Sequence, residues 1–194
     1  QPGDIVRSLD YIAPQAQLQY RDTGAVRREF YGGHYPAATG ILVNRLLRPE
    51  GHVEVETVAV KGGNREEVRI PEWDRRYHRL TYHPGVKKGH MLHLSGQAAV
   101  DHATGKSVGG FDIVAQADKA YSNIAQVLAA AGYSMNDVVN TIEWIAPNGL
   151  MGYRGVQEVR RKYFGDSYPS ATGVIVHQIL RPELLIEVTA VALV

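Results

Sequence analysis

The sequence predicts an α/β fold, a mixed sheet packed on a layer of two helices, present once in full and once in part. Three observations predict it. The stretch YPAATGILVNRLLRPEGHVEVETVAV (35–60) returns as YPSATGVIVHQILRPELLIEVTAVALV (168–194), and a single offset of 133 aligns residues 1–61 with 134–194 without a gap. Roughly four positions in ten are identical, which marks an internal duplication. Each copy reads strand, helix, strand, strand, and only the second is preceded by a further hairpin and a long amphipathic segment.

In chain order, residues 4–13 read as a buried strand through Ile5, Val6, Leu9 and Ile12, ended by Pro14. A helix follows, with Leu18, Val26 and Phe30 near helical spacing and Gly32-Gly33 as its stop. Strands ATGILVNRLL and HVEVETVAV flank the turn-forming Arg48-Pro49-Glu50-Gly51. Residues 61–80 are charged and open on Lys61-Gly62-Gly63, the composition of a linker. Strand signals lie at 81–83, 90–100 and 137–146, with Asp101–Gly105 (DHATG) as a hairpin turn. The strongest helix spans 111–132, with a stripe of Ala115, Ala120, Ile124, Val127 and Leu128 stopped by Gly132. A second helix at 153–165 and two closing strands complete the layer.

The expected division is therefore 1–61 as the C-terminal half of a first unit, 62–80 as linker, and 81–194 as a complete second unit. A half-unit alone leaves a sheet edge and an apolar face uncovered, which proteins normally avoid. A front half of about 70 residues, sized by the repeat, is expected before Gln1 in the native product, either in the same chain or as a separate polypeptide that completes the first unit.

Composition excludes several classes. A net charge of +1 supplies no footprint for nucleic acid, and the basic groups RRYHR (75–79) and RRK (160–162) read as solvated faces. There are no cysteines, which excludes disulfides and thiol chemistry and suits a cytoplasmic protein. No apolar run is long enough for a bilayer, so no membrane partner is expected. His90 and His93 are three apart, which on a strand sends the rings to opposite faces and makes a poor metal pair. Phosphate-loop, dinucleotide and nucleophile-elbow motifs are absent, so no cofactor and no metal are expected.

The second unit carries Tyr82 followed by Pro84, Ser95-Gly96-Gln97, Asp101-x-x-Thr104-Gly105, Ala131-Gly132, Asp137-Val138-Val139, Tyr163-Phe164-Gly165 and a closing Pro…Glu signature. In these it resembles the Rid (YjgF/RidA-like) family of enamine and imine deaminases, over 81–194 directly and over 1–61 through the repeat. The resemblance implies a chorismate-mutase-like fold and a homo-oligomer in a trimeric or pseudo-trimeric arrangement, with clefts between units that bind a small-molecule substrate.

The resemblance also assigns roles. Deaminating members have an arginine in the closing signature that grips the carboxylate of a 2-imino acid, and a later glutamate that positions the hydrolytic water. Here the signature reads Pro169-Ser170-Ala171-Thr172 and, in the first copy, Pro36-Ala37-Ala38-Thr39, so the arginine is missing twice. Alanine replaces none of its bidentate, charge-assisted contact. Glu187 and its twin Glu54 remain. Glu187 reads either as a carboxylate on an exposed strand face or as a desolvated, water-holding base. Tyr82 reads either as a donor to the substrate or as a core aromatic. Thr172, with its twin Thr39 and with Ala171 beside it, reads either as a hydrogen-bonding partner of the substrate or as ordinary strand. Gly96 gives close approach to a ligand or to a neighbouring strand. Trp144 replaces a phenylalanine near the cleft and reads as packing. The substrate either lacks a carboxylate at the missing arginine or is gripped from elsewhere by Arg181 or Arg79.

The expected function is a Rid-like hydrolase of a small imine, enamine or related metabolite, with weak or absent activity on standard 2-imino acids. The alternatives are a small-molecule-binding or scaffold homologue without chemistry, and a specialised chorismatase-like enzyme of secondary metabolism.

Overall fold

The computed structural model describes residues 1–193; Val194, the last residue of the expected closing strand, lies outside them. The first unit holds β1 (Ile5–Ile12), α1 (Thr23–Tyr31), β2 (Ala37–Leu42) and β3 (Val53–Ala59). After it come β4 (Arg65–Glu67), α2 (Asp74–Tyr77), β5 (Gly85–Lys88), β6 (Met91–Leu94), β7 (Gln97–Ala98), α3 (Ile113–Ala130), β8 (Val138–Ile145), α4 (Val156–Phe164), β9 (Ser170–Ile175), β10 (Gln178–Ile179) and β11 (Ile186–Leu193). Among the described residues no helix is long and apolar enough to cross a membrane.

The strands form two sheets, ordered β10-β2-β1-β3 and β4-β5-β6-β11-β8-β9, with β7 also paired to β11. Their pairing repeats at the offset seen in the sequence. Arg7 faces Ala37 in the parallel β1–β2 pair as Asn140 faces Ser170 in β8–β9, and Leu9 faces Glu56 in the antiparallel β1–β3 pair as Ile142 faces Thr189 in β8–β11. Since a one-residue slip would turn every side chain to the other face, identical registers place matched residues on matched faces.

Helix α3 covers the larger sheet. Asp112 caps it, its Oδ1 accepting from the backbone N–H groups of Val114 and Ala115 at 2.8 and 3.3 Å, worth about 1 kcal/mol. Gly132, at φ 79°, ends the turn beyond it in a conformation that favours glycine. Ile113, Ala117, Ala120, Tyr121, Ile124, Val127 and Leu128 form its buried face. Ala115, expected in that stripe, is exposed, and Ala117 takes its place. The other face of the larger sheet packs on the smaller one: Leu9 and Ile41 meet Ala98, Val100, Trp144, Ile179 and Leu184.

Several expectations change. The helix after β1 does not dock through Leu18, Val26 and Phe30, which are exposed. Residues 14–22 are largely short 3₁₀ turns, which breaks the phase assumed for Leu18, and α1 instead buries Tyr31 and turns Arg27 inward. Residues 81–83 form one bridge, His83 with Ala37, and the strand itself starts after Pro84. The segment 62–80 is not a free linker. From Arg65 it pairs with β5, and it contributes Val68, Ile70, Trp73 and Tyr77 to the main core, apolar residues masked by their charged neighbours. The sheet of the first unit is less open than expected: β10 of the second unit pairs with β2, while β3 remains an outer strand with Glu54, Val55, Glu56 and Thr57 exposed.

Candidate active site between the two units

Strand β2 crosses the turn between β6 and β7. His83 N–H donates to Pro36 O at 3.0 Å, Ala38 N–H to Ser95 Oγ at 2.8 Å, and Gly96 N–H is shared between Ala38 O at 3.2 Å and Thr39 Oγ1 at 2.9 Å. Accepting from Gly96 leaves the Thr39 hydroxyl with its own proton to donate. This seam closes a cleft of about 470 Å³, within the range of small-ligand sites.

Glu187 enters the cleft from β11, 9% exposed, and its carboxylate makes no hydrogen bond or ion pair among the described residues. It lies over Gly96, where a Cβ would fall 1.9 Å from Oε1, so any side chain there would have to push the carboxylate aside. Burial pushes its pKa up to about 7, partly offset by the nearby Arg76 guanidinium. Desolvation penalises the ionised form, and a value near neutrality suits a group that takes and returns protons. Tyr82 lines the same cleft; burial raises its phenol, Arg76 counteracts and Glu187 adds to the rise. The neutral O–H is thereby kept as a donor.

Arg76 comes from α2, in the stretch read as a solvated linker. Its Nη1 lies 3.1 Å from His102 Nδ1, and His102 Nε2 lies 3.0 Å from Gln97 Oε1. A guanidinium only donates, so Nδ1 accepts and Nε2–H donates to Gln97. His102 is therefore neutral, its pKa pushed down to about 3 by burial, then by the charges of Arg76, Lys119 and Arg181. The ring packs against both Trp73 and Tyr77, with centroids at 4.0 and 5.5 Å, and so fixes where Arg76 points.

The opposite wall belongs to the first unit. Tyr20 O–H donates to Asp10 Oδ2 at 2.9 Å, and Arg27 Nη2 donates both to Asp10 Oδ2 and to Tyr20 Oη, the latter at 2.8 Å. Tyr20, Arg27, Thr39 and Gly40 all line the cleft. The same constellation recurs in the second unit at the same offset: Tyr153 O–H donates to Glu143 Oε2 at 2.5 Å, and the Arg160 guanidinium lies over Tyr153 at 5.8 Å as that of Arg27 lies over Tyr20 at 5.5 Å.

The structure sorts the residues expected from sequence. Glu187, Tyr82, Gly96 and Thr39 converge in one cleft, and Arg181 and Arg79 line it. Arg181 is engaged by Gly105 O at 2.9 Å and Ser107 Oγ at 3.3 Å, holding the hairpin turn. Thr172 and Ala171 do not reach Glu187. They are exposed on β9, the outer strand of their own sheet, and the strand that meets Glu187 is β2 of the other copy, with Ala38 and Thr39. Trp144 is 5% exposed in the packing between the sheets and does not line the cleft. Glu54 is exposed on β3. Sequence reasoning missed Asp10, Tyr20, Arg27, Arg76 and His102. The first three had a signal, since Tyr20 and Arg27 are unchanged at the repeat offset and Asp10 becomes Glu143; Arg76 and His102 had none.

The model of the family described as endoribonuclease L-PSP matches residues 75–194. A RutC family protein of Pyrococcus horikoshii is 35% identical over 111 residues, 57% of this chain and 85% of that one. The 2-iminobutanoate/2-iminopropanoate deaminase of Mus musculus is 31% identical over 111 residues, 57% of this chain and 79% of that one. The solved structure of RidA from an Antarctic Psychrobacter superposes with a TM-score of 0.54 at 29% identity, covering 59% of this chain and 89% of that one. The matched stretch starts just before Arg76 and runs through Tyr82, Gly96 and Glu187, so the wall of the cleft that holds the buried carboxylate is also the part shared with these proteins: the chain belongs to the Rid (YjgF) family.

Proposed function

We propose that the chain hydrolyses a small imine or enamine in the cleft between its two units, and that it is not a standard deaminase of 2-imino monoacids. The observation that carries this reading is Glu187, buried, unpaired among the described residues and raised to about pH 7. In its ionised form it takes a proton from a water molecule whose oxygen bonds to the imine carbon. Tyr82 donates to the imine nitrogen as the C=N electrons move there. Protonated Glu187 then gives its proton to nitrogen, the C–N bond breaks and ammonia leaves as the added hydroxyl becomes the carbonyl, its proton returning to Tyr82. An enamine first gains a proton at carbon to reach the same imine. Some relatives bear the name of imine deaminases, which supports the reaction class.

The departure in substrate rests on Ala38, which stands in the strand position where the resemblance calls for an arginine. Arg76 and Arg27 bring guanidinium groups to the cleft from helices instead. The family model's name speaks of a ribonuclease. In this chain the cations gather in a cavity of about 470 Å³ rather than along a face, which favours a small anion over a polynucleotide strand. A homo-oligomer in a trimeric or pseudo-trimeric arrangement is part of the proposal, supported by the exposed outer strands β3 and β9.

The test uses imines generated in situ from amino acids by an amino-acid oxidase, following ammonia and carbonyl release. Turnover that falls at least a hundredfold in Glu187→Gln, with ligand affinity retained, supports hydrolysis. Binding without turnover in the parent chain makes it a binding homologue. Parent rates on 2-iminobutanoate equal to those of an arginine-bearing relative overturn the substrate argument.

A further inference from the structure

The cleft holds more cationic groups than one acid requires. Arg21, Arg27 and Arg28 come from the first unit and Arg76, Arg79 and Arg181 from the second, against Glu187 as the one carboxylate among the described lining residues. Three of the six are exposed at the mouth and Arg181 is engaged by the hairpin turn. Arg27 and Arg76 remain, and both are held from behind. Arg27 uses Nη2 on Asp10 and Tyr20, leaving Nε and Nη1 without a partner among the described residues. Arg76 uses Nη1 on neutral His102, and its charge is felt by both Tyr82 and Glu187. The two guanidinium groups line one cleft from different units, and Thr39, Gly96 and Glu187 line it with them.

We infer that the cleft takes a substrate bearing two acidic groups, in the simplest case a 2-imino dicarboxylate, with Arg76 gripping the acid beside the reacting carbon and Arg27 the distal one. The position of the reacting carbon rests on the hydrolase reading above; the two-acid specificity does not. Arg76 keeps Nε–H and Nη2–H, a forked pair matched to a carboxylate, whereas Arg27, its Nη2 used on Asp10 and Tyr20, offers Nε–H and Nη1–H as separate donors on opposite edges. Because other side chains already fix both guanidinium groups, little orientational freedom remains to be lost on binding. A monoacid satisfies Arg76 and leaves the Nε–H and Nη1–H donors of Arg27 without an acceptor. Specificity of this kind comes from polar groups that only the right ligand satisfies.

Calorimetry on the full chain tests this with stable carbonyl counterparts of the imines: 2-oxobutanoate as the monoacid, 2-oxoglutarate as the diacid, and inorganic phosphate as a plain anion. The expected result is at least tenfold tighter binding of the diacid than of either other probe. Arg27→Gln weakens the diacid at least tenfold and the monoacid less than threefold, whereas Arg76→Gln weakens both. Since Arg27→Gln strands the buried Asp10, the double variant Asp10→Asn/Arg27→Gln, which strands no charge, repeats the measurement and is expected to behave like the single one. Equal affinity for monoacid and diacid, phosphate binding as tight as the diacid, or a diacid advantage that survives the double variant each overturns the inference. Failure is separable from that of the hydrolase reading: a diacid preference without imine turnover sinks only the latter, and turnover of monoacid imines without a diacid preference sinks only this one.

Discussion

Glu187 occupies the space into which a side chain at Gly96 would grow, with Oε1 1.9 Å from where that Cβ would stand. Gly96→Ala is therefore expected to push the carboxylate aside and to strain the N–H that Gly96 shares with Thr39 and Ala38 across the units. Overpacking of this kind costs about 1–3 kcal/mol. A denaturant melt reads that loss, and an imine-hydrolysis assay should show a larger drop in kcat than in KM. Unchanged kcat would mean that the position of Glu187 is not what limits turnover.

The raised pKa of Glu187 sets a pH dependence with a definite sign. Its ordinary value is 4.5 and its folded value about 7. Between those values the unfolded chain gives up a proton that the folded chain keeps, so stability falls as pH rises through the window and is level above it. Glu187→Gln removes that fall. The variant is expected to match the parent near pH 4 and to exceed it at pH 8 by on the order of 3 kcal/mol. In the parent, kcat/KM should climb as pH rises through about 7, where the base forms.

His93 works in the opposite direction. It is 3% exposed on β6, both ring nitrogens lack a partner among the described residues, and burial, with help from Arg7, holds its pKa down to about 4. From its ordinary 6.5 down to about 4, the unfolded chain binds a proton that the folded chain refuses, so stability drops as pH falls. His93→Leu should raise the melting temperature at pH 5 more than at pH 8. Equal changes at both would show that the ring is not buried in its neutral form.

Trp73 tests whether the connecting segment is part of the core. It is 4% exposed and stacks on Tyr77 at 5.9 Å. Trp73→Ala should cost about 3–5 kcal/mol and, by freeing His102, loosen Arg76 and raise KM. Lys61→Ala, twelve positions earlier on an exposed turn, should change stability by less than about 0.5 kcal/mol. Similar small effects for both would make residues 65–80 a linker after all.

Much of the fold was legible because its signals are local. The β1 and β8 strands, the long α3 helix with Gly132 after it, and the Asp101–Gly105 turn each follow from spacing and turn chemistry within a dozen residues, whereas Asp112, counted inside the helix from sequence, proves to be its cap. Glu187, Tyr82 and Gly96 were legible through motif resemblance. What failed depends on distance in the chain. Whether Thr39 or Thr172 meets Glu187 is decided by which sheet packs on which, and no local pattern separates two copies with the same spacing. Trp73, Arg76 and Tyr77 were hidden because composition averages over a segment, whereas burial is decided residue by residue.

The recurrence of one carboxylate–tyrosine–arginine set in two settings has a practical consequence. Asp10, Tyr20 and Arg27 stand against a wall of foreign residues, while Glu143, Tyr153 and Arg160 lie near the exposed strand β9. Backbone register and sequence neighbourhood are nearly the same in both. The molecule thus carries its own reference sample: the difference in reactivity between Tyr20 and Tyr153, read by chemical labelling in one tube at one temperature, compares the two settings of one motif within a single chain.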